Sequence, residues 1–141
     1  MLAVREAVRR GILASMKSFE EFWPYYVKAH SNKWNRRLHF VGTTAALGLA
    51  VTGVVTGSPL LVLAAPAVGY GCAWFGHFVL EGNTPASFGH PLWSFKGDWV
   101  MWSKMLTGTM DEEVARVLAE SEKPAQNGVE RPAEPQAAPV N

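Results

Sequence analysis

The chain has 141 residues, with 13 Lys/Arg against 12 Asp/Glu and a formal net charge of +1. That length holds one domain at most, and so balanced a charge gives no footprint for a nucleic-acid partner. The single cysteine, Cys72, excludes an intramolecular disulfide and any cysteine-based zinc cage; its expected role is that of a small buried apolar residue.

The distribution of charge is more informative than its sum. Residues 1–37 carry eight Lys/Arg and three Glu, residues 38–80 carry no Asp, Glu, Lys or Arg, and residues 81–141 carry nine Asp/Glu and five Lys/Arg. A charge-free run of that extent in so short a chain points to a bilayer. No secretory signal is expected, because Arg5, Glu6, Arg9 and Arg10 interrupt the N-terminal apolar stretch.

Residues 1–17 are weakly amphipathic and basic, as suits a surface helix near anionic lipid. In the following "SFEEFWPYYVKAH", Ser18 and Glu21 have the spacing of a capping box. Pro24 should kink this helix or fall in its first turn. Phe19, Phe22, Trp23, Tyr25 and Tyr26 give it the aromatic density of a membrane–water boundary. "SNKWNRRLHF" reads as a break and restart, with Asn35 as the expected N-cap.

Two spans follow, at about 38–57 and 60–80, each near the ~20 residues that cross a bilayer. The turn between them is "TGSPLL", with Pro59 suited to the first position of the second helix. Small residues recur at four-residue spacing, at Gly42, Ala46 and Ala50 and again at Ala65, Gly69 and Ala73, which lets membrane helices approach closely. After the hairpin, Leu92, Phe95, Trp99, Trp102 and Leu106 form one helical stripe with Lys96 and Asp98 off it. At about 15 residues this helix is expected to lie in the interface. Residues 109–123 read as a short acidic helix, and 124–141 as a disordered tail.

The expected architecture is an all-α membrane protein: a transmembrane helical hairpin with amphipathic, interfacial helices before and after it. Its membrane-embedded domain covers 18–108. The alternative, a buried soluble hairpin, needs more surrounding core than this chain offers. An uncharged turn puts both ends of the hairpin on one face, and the basic N-terminal segment makes that face cytoplasmic. Both termini are then cytoplasmic, in the inner membrane of a bacterium or the endoplasmic reticulum of a eukaryote.

All four histidines, His30, His39, His77 and His90, fall near the ends of this hairpin. His39 lies 19 residues before Ser58 and His77 lies 19 after it, so at ~1.5 Å per residue both reach the same depth. Glu81, at i+4 from His77, can face the same way. His30 joins them only if the chain breaks near Ser31 to Asn35, and His90 only if the next helix folds back along the surface. Imidazole suits Fe, Zn, Cu or Ni, and mixed imidazole and carboxylate sets with open positions suit ferrous iron and oxygen chemistry; a zinc-dependent hydrolysis is a further alternative. The competing view is that these histidines sit at a lipid interface without sharing an ion. Arg36 and Arg37 could hold a substrate carboxylate, or simply anchor the first span.

"FEEFWPYYVKAHSNKWNRRLHFVGT", "GYGCAWFGHFVLEGNTPASFGHPLWS" and "GDWVMWSKMLTG" resemble the small integral-membrane family that includes the 2-hydroxy fatty acid dioxygenase of phytosphingosine breakdown. The resemblance covers roughly residues 18–108. It implies Fe(2+)-dependent oxidative removal of one carbon from a long-chain 2-hydroxy fatty acid by O2, with His30, His39, His77 and His90 serving the iron. Beside this stands a non-catalytic alternative, a small membrane scaffold or lipid-binding protein. Neither fixes an oligomeric state.

Overall fold

The computed structural model describes residues 2–122, with side chains from residue 7 onward, and within them every regular element is helical. The helices are α1 (Leu2–Ser15), α2 (Phe19–Lys28), α3 (Lys33–Thr56), α4 (Pro59–Phe75), α5 (Pro91–Leu106) and α6 (Met110–Glu122). A π-helical turn, Gly76–Glu81, extends α4, and a 3₁₀ turn, Ala86–Phe88, precedes α5. The tail expected at 124–141 lies outside the described residues.

Side chains cap the helix starts where the sequence turns polar. Ser18 Oγ accepts from the Glu21 amide at 3.3 Å, while the Glu21 carboxylate accepts from the Lys17 amide at 2.8 Å. The box therefore closes one residue earlier than the usual reciprocal pair. Pro24 lies inside α2, beyond its first turn. At the restart the N-cap is Asn32, whose Oδ1 accepts from the amides of Trp34 (2.8 Å) and Asn35 (3.4 Å). The expected cap, Asn35, is instead a buried first-turn residue, because the helix begins within the polar run rather than at the apolar boundary.

Helices α3 and α4 form the hairpin, and their small residues bring the backbones together. A Cβ on Gly53 would stand 2.8 Å from the Val62 backbone nitrogen, and one on Gly69 would stand 3.3 Å from Ala46 Cβ. Lys33–Thr56 and Pro59–Glu81 are long and apolar enough to cross a membrane, with mean hydropathy 1.7 and 1.4 over their best windows. Only 17% of each window is buried within the molecule, and Val54, Val55, Leu60 and Leu63 are each more than 70% exposed. A soluble core hairpin would be mostly covered; this one leaves its apolar surface bare.

The other helices pack as a cap on the open end of the hairpin. Its core joins Phe22, Tyr26 and Val27 of α2 to Leu13, Met101, Met110, Val114 and Val117. The acidic helix α6 docks on α2, where Trp23 Nε1 donates to Glu113 Oε1 at 2.7 Å. Paired with Arg116 and bonded to Trp23, the Glu113 carboxyl is held down to about 2.

The close approach at Gly53 makes a paired test. Gly53→Ala should cost about 1–3 kcal/mol through overpacking, seen as a lower thermal midpoint in detergent. Gly48→Ala, with nothing within 4 Å of the added Cβ, should leave that midpoint unchanged or slightly raised.

Candidate metal centre

The cap and the hairpin meet around three imidazoles. His39 stands on α3, His77 on the π-helical turn, and His30 in the turn that leaves α2. Equal distance from the hairpin turn brings the first two rings to 5.2 Å between centroids. The reversal at Ala29–Asn32 brings His30 to 4.6 Å from each. One ligating atom from each of the three lies within 4.8 Å of the others, and the residues are 1%, 4% and 3% exposed.

Each ring is oriented through its Nδ1. His30 Nδ1 donates to the Tyr26 carbonyl at 2.7 Å. His39 Nδ1 faces Asp98 Oδ1 at 3.3 Å. His77 Nδ1 donates to Asn83 Oδ1 at 2.8 Å, and the Asn83 amide is fixed by its own donation to the Ala29 carbonyl at 3.0 Å. The acceptors on His30 and His77 hold the Nδ1 protons and leave Nε2 as the lone-pair atom, and the carboxylate facing His39 Nδ1 favours the same tautomer there, the arrangement in which histidines ligate metals. The Nε2 atoms of His30 and His39 are buried without a hydrogen-bond partner, as is Ser94 Oγ. All three residues, with His77, line one cavity of about 20 Å³, room for a single water-sized occupant. Unpartnered buried acceptors are expensive, and a metal ion would satisfy them: these three histidines could form a metal site.

Around the rings, further contacts hold the geometry. Tyr26 stacks on His30 with centroids 4.0 Å apart, and its hydroxyl donates to Asp98. Burial, with Asp98 beside it, pushes the Tyr26 phenol well above its ordinary value, so it stays a donor. Behind the cluster, Asn35 packs against Gly76, where any Cβ would fall 2.0 Å from Asn35 Oδ1. The junction of α3 with the π-helical turn depends on that glycine.

Three sequence expectations fail here. His90 is not in the cluster: its Nε2 donates to the Leu13 carbonyl at 2.6 Å and its ring stacks on Trp93 at 4.3 Å. The connection from Gly82 to His90 carries it to the side of α1. Glu81 does not face the imidazoles; its Oε1 accepts from the Asn32 amide at 2.7 Å and from Asn35 Nδ2 at 3.3 Å. The i+4 argument assumed an α-helix, and the wider π-helical turn swings that position round. The guanidinium of Arg36 is occupied by the carbonyls of His30 (2.9 Å) and Ser31 (2.6 Å) and by Asp111 Oδ1 (2.7 Å). Arg37 lies over the Trp34 ring at 4.6 Å. Neither arginine lines the cavity, so neither offers a carboxylate clamp there.

Sequence reading missed Asp98, Tyr26 and Asn83. Asp98 carried a signal, as the sole acidic residue between Glu81 and Asp111.

Residues 16–110 match the family model described as 2-hydroxy-palmitic acid dioxygenase Mpo1-like. The chain belongs to this family. The matched segment contains the three clustered histidines and Asn83, Ser94 and Asp98. No curated protein and no solved structure matches the chain. The family name points to dioxygenase chemistry on a 2-hydroxy fatty acid and, with the two apolar helices, to membrane association.

Metal titration by equilibrium dialysis should find one site per chain. His39→Ala should abolish it, and Asp98→Asn should weaken it about 10–100-fold as an outer-shell partner. His90→Ala should leave the affinity unchanged. A second expectation concerns pH. Burial drives the His30 imidazole well below its ordinary 6.5. The folded state keeps it unprotonated while the unfolded chain binds a proton, so its contribution to stability is full above pH 6.5 and is lost on acidification. Thermal midpoints measured without added metal should fall as the pH drops below 6.5, and His30→Gln should flatten that dependence.

Proposed function

We propose that this chain is an integral-membrane, non-haem Fe(II)-dependent dioxygenase that removes one carbon from a long-chain 2-hydroxy fatty acid. The observation that carries the reading is the convergence, inside the family-matched segment, of three buried histidines whose Nδ1 atoms are already committed.

His30, His39 and His77 would hold the ion through Nε2. Imidazole suits iron as it does zinc, copper and nickel, and the dioxygenase chemistry in the family's name favours iron among them. Iron bound there would supply Lewis acidity and the redox chemistry for breaking the C1–C2 bond with O2. The remaining work falls to the chain. Tyr26, Asp98 and Asn83 fix the imidazoles, and burial of all three rings limits access of bulk water. Ser94 Oγ, buried and unpartnered on the same cavity, is placed to donate to the acid's head group. One O2 per molecule balances conversion of a 2-hydroxy acid into the acid one carbon shorter, CO2 and water, so no external reductant is needed.

The hairpin would span the bilayer with the histidines at its open end, where Lys33, Arg36 and Arg37 begin α3. Basic flanks of that kind favour the cytoplasmic side. Both termini would then be cytoplasmic.

The test uses the full chain in detergent, loaded with ferrous iron and supplied with 2-hydroxypalmitic acid and O2. Equal consumption of acid and O2, with appearance of the acid one carbon shorter, is expected. His39→Ala should lower the rate by at least about 100-fold, roughly the loss of an essential ligand or its outer-shell support. Stoichiometric iron without chain shortening would overturn the reaction while leaving the metal site standing; zinc with no O2 uptake would overturn both the metal and the reaction class.

A further inference from the structure

A second cavity, of about 250 Å³, opens directly from the histidine cluster. His39 and Asp98 line its head, and both also line the small cavity among the imidazoles. From there it runs along the hairpin to Ala50 on α3 and Ala65 on α4. The distance from His39 to Ala50 along α3 is about 16 Å at ~1.5 Å per residue. Ala46, Gly69 and Ala73 form part of its small-residue lining, while Phe95 and Trp99 of α5 close the far wall.

Small residues alone would mark only close helix packing. Two observations go further. His39 is 4% exposed, lines this groove, and keeps an Nε2 without a partner. Helix α5 is also held clear of the groove's floor at a fixed position, because Trp102 Nε1 donates to Thr44 Oγ1 at 2.9 Å and its ring stacks on Phe40 at 6.0 Å. Trp102 of the aromatic stripe thus anchors α5 on α3, and Phe95 and Trp99 become a wall. The groove's lining stops at Ala50 and Ala65; the helices meet tightly one turn beyond, at Gly53 against Val62.

An occupant must therefore have a polar head at His39 and Asp98 and a narrow, unbranched apolar body. We infer that this groove is the acyl-chain subsite, and that Ala50 and Ala65 at its far end set the chain length accepted. The inference rests on the proposed 2-hydroxy acid substrate, and adds where the tail lies and what measures it. In a membrane the tail leaves lipid rather than water, so selectivity comes from steric fit rather than from the hydrophobic transfer that governs aqueous binding.

The test reads position and length without relying on turnover. Full-length protein in lipid nanodiscs is irradiated with a 2-hydroxy fatty acid carrying a diazirine at its methyl end, and the labelled residues are mapped. Label concentrated around residues 46–50 and 65–69 is expected. Label spread over the exposed Val51, Val54, Val55 and Leu60 instead would overturn the inference, since those residues face lipid. In parallel, Ala50→Phe and Ala65→Phe should reduce binding of the longest acids about tenfold relative to shorter ones, the scale of an overpacking penalty. Ala45→Phe, on an exposed face outside the groove, should not. Should either Phe variant fail to fold, Ala50→Leu replaces it, with a smaller shift in the same direction expected. Equal loss across all chain lengths would also overturn the inference. Label in the groove with no chain shortening would uphold the subsite and defeat only the proposed reaction.

Discussion

The reversal of the chain at Ala29–Asn32 is the constraint on which the rest of the structure depends. Four backbone groups in this turn would be left without helical partners, and each is met by a side chain from elsewhere. Asn83 donates to the Ala29 carbonyl, Arg36 to those of His30 and Ser31, and Glu81 accepts from the Asn32 amide. The turn has its interior position only because these partners arrive, and they arrive only when α3, the π-helical turn and the following loop are in place. Asn83 couples the two events most directly, holding the turn that carries His30 while orienting His77.

That dependence also explains why so polar a junction lies between two apolar bodies. The hairpin and the aromatic cap could each bury hydrophobic surface with no precise mutual position. Arg36 removes the freedom: its buried guanidinium ties the start of α3 to the turn and, through Asp111, to the first residues of α6. Docked on α2 through Trp23 and Glu113, α6 then fixes the cap from the opposite side. A buried charge bonded this fully costs much to disrupt and adds little to net stability, so its contribution is to select one arrangement.

How much of this could be read from the sequence follows from what each inference required. The common depth of His39 and His77 needed only a turn and a constant helical rise, and the rings do meet. The break before α3 was legible from its polar, amide-rich run, though the capping residue was displaced by one turn. What failed required either a departure from α-helical geometry or a path through irregular chain. Glu81 was lost to a π-helical turn, and His90 to the connection before α5. Arg36 resembled a membrane-flanking base because sequence carries no record of the carbonyls that a turn will present to it. Asp98 was visible as an oddity, but its partners, Tyr26 and His39, lie 72 and 59 residues away in the chain.

Asp98 also supplies the electrostatic reason for expecting a cation. Its carboxylate receives the Tyr26 hydroxyl and faces His39 Nδ1, and it forms no ion pair with a Lys or Arg among the described residues. The buried guanidinium of Arg36 is committed to Asp111 instead. The centre thus combines one carboxylate lacking a Lys or Arg partner with imidazoles whose Nε2 atoms, buried and unpartnered on His30 and His39, are left to ligate. A divalent ion would satisfy the lone pairs and offset the charge together. Occupancy would remove the desolvation cost of the orphaned acceptors, and binding energy of that kind is also folding energy. The junction's stability would then be tied to that ion, and its polarity is intelligible as the frame of three histidines that could hold a metal.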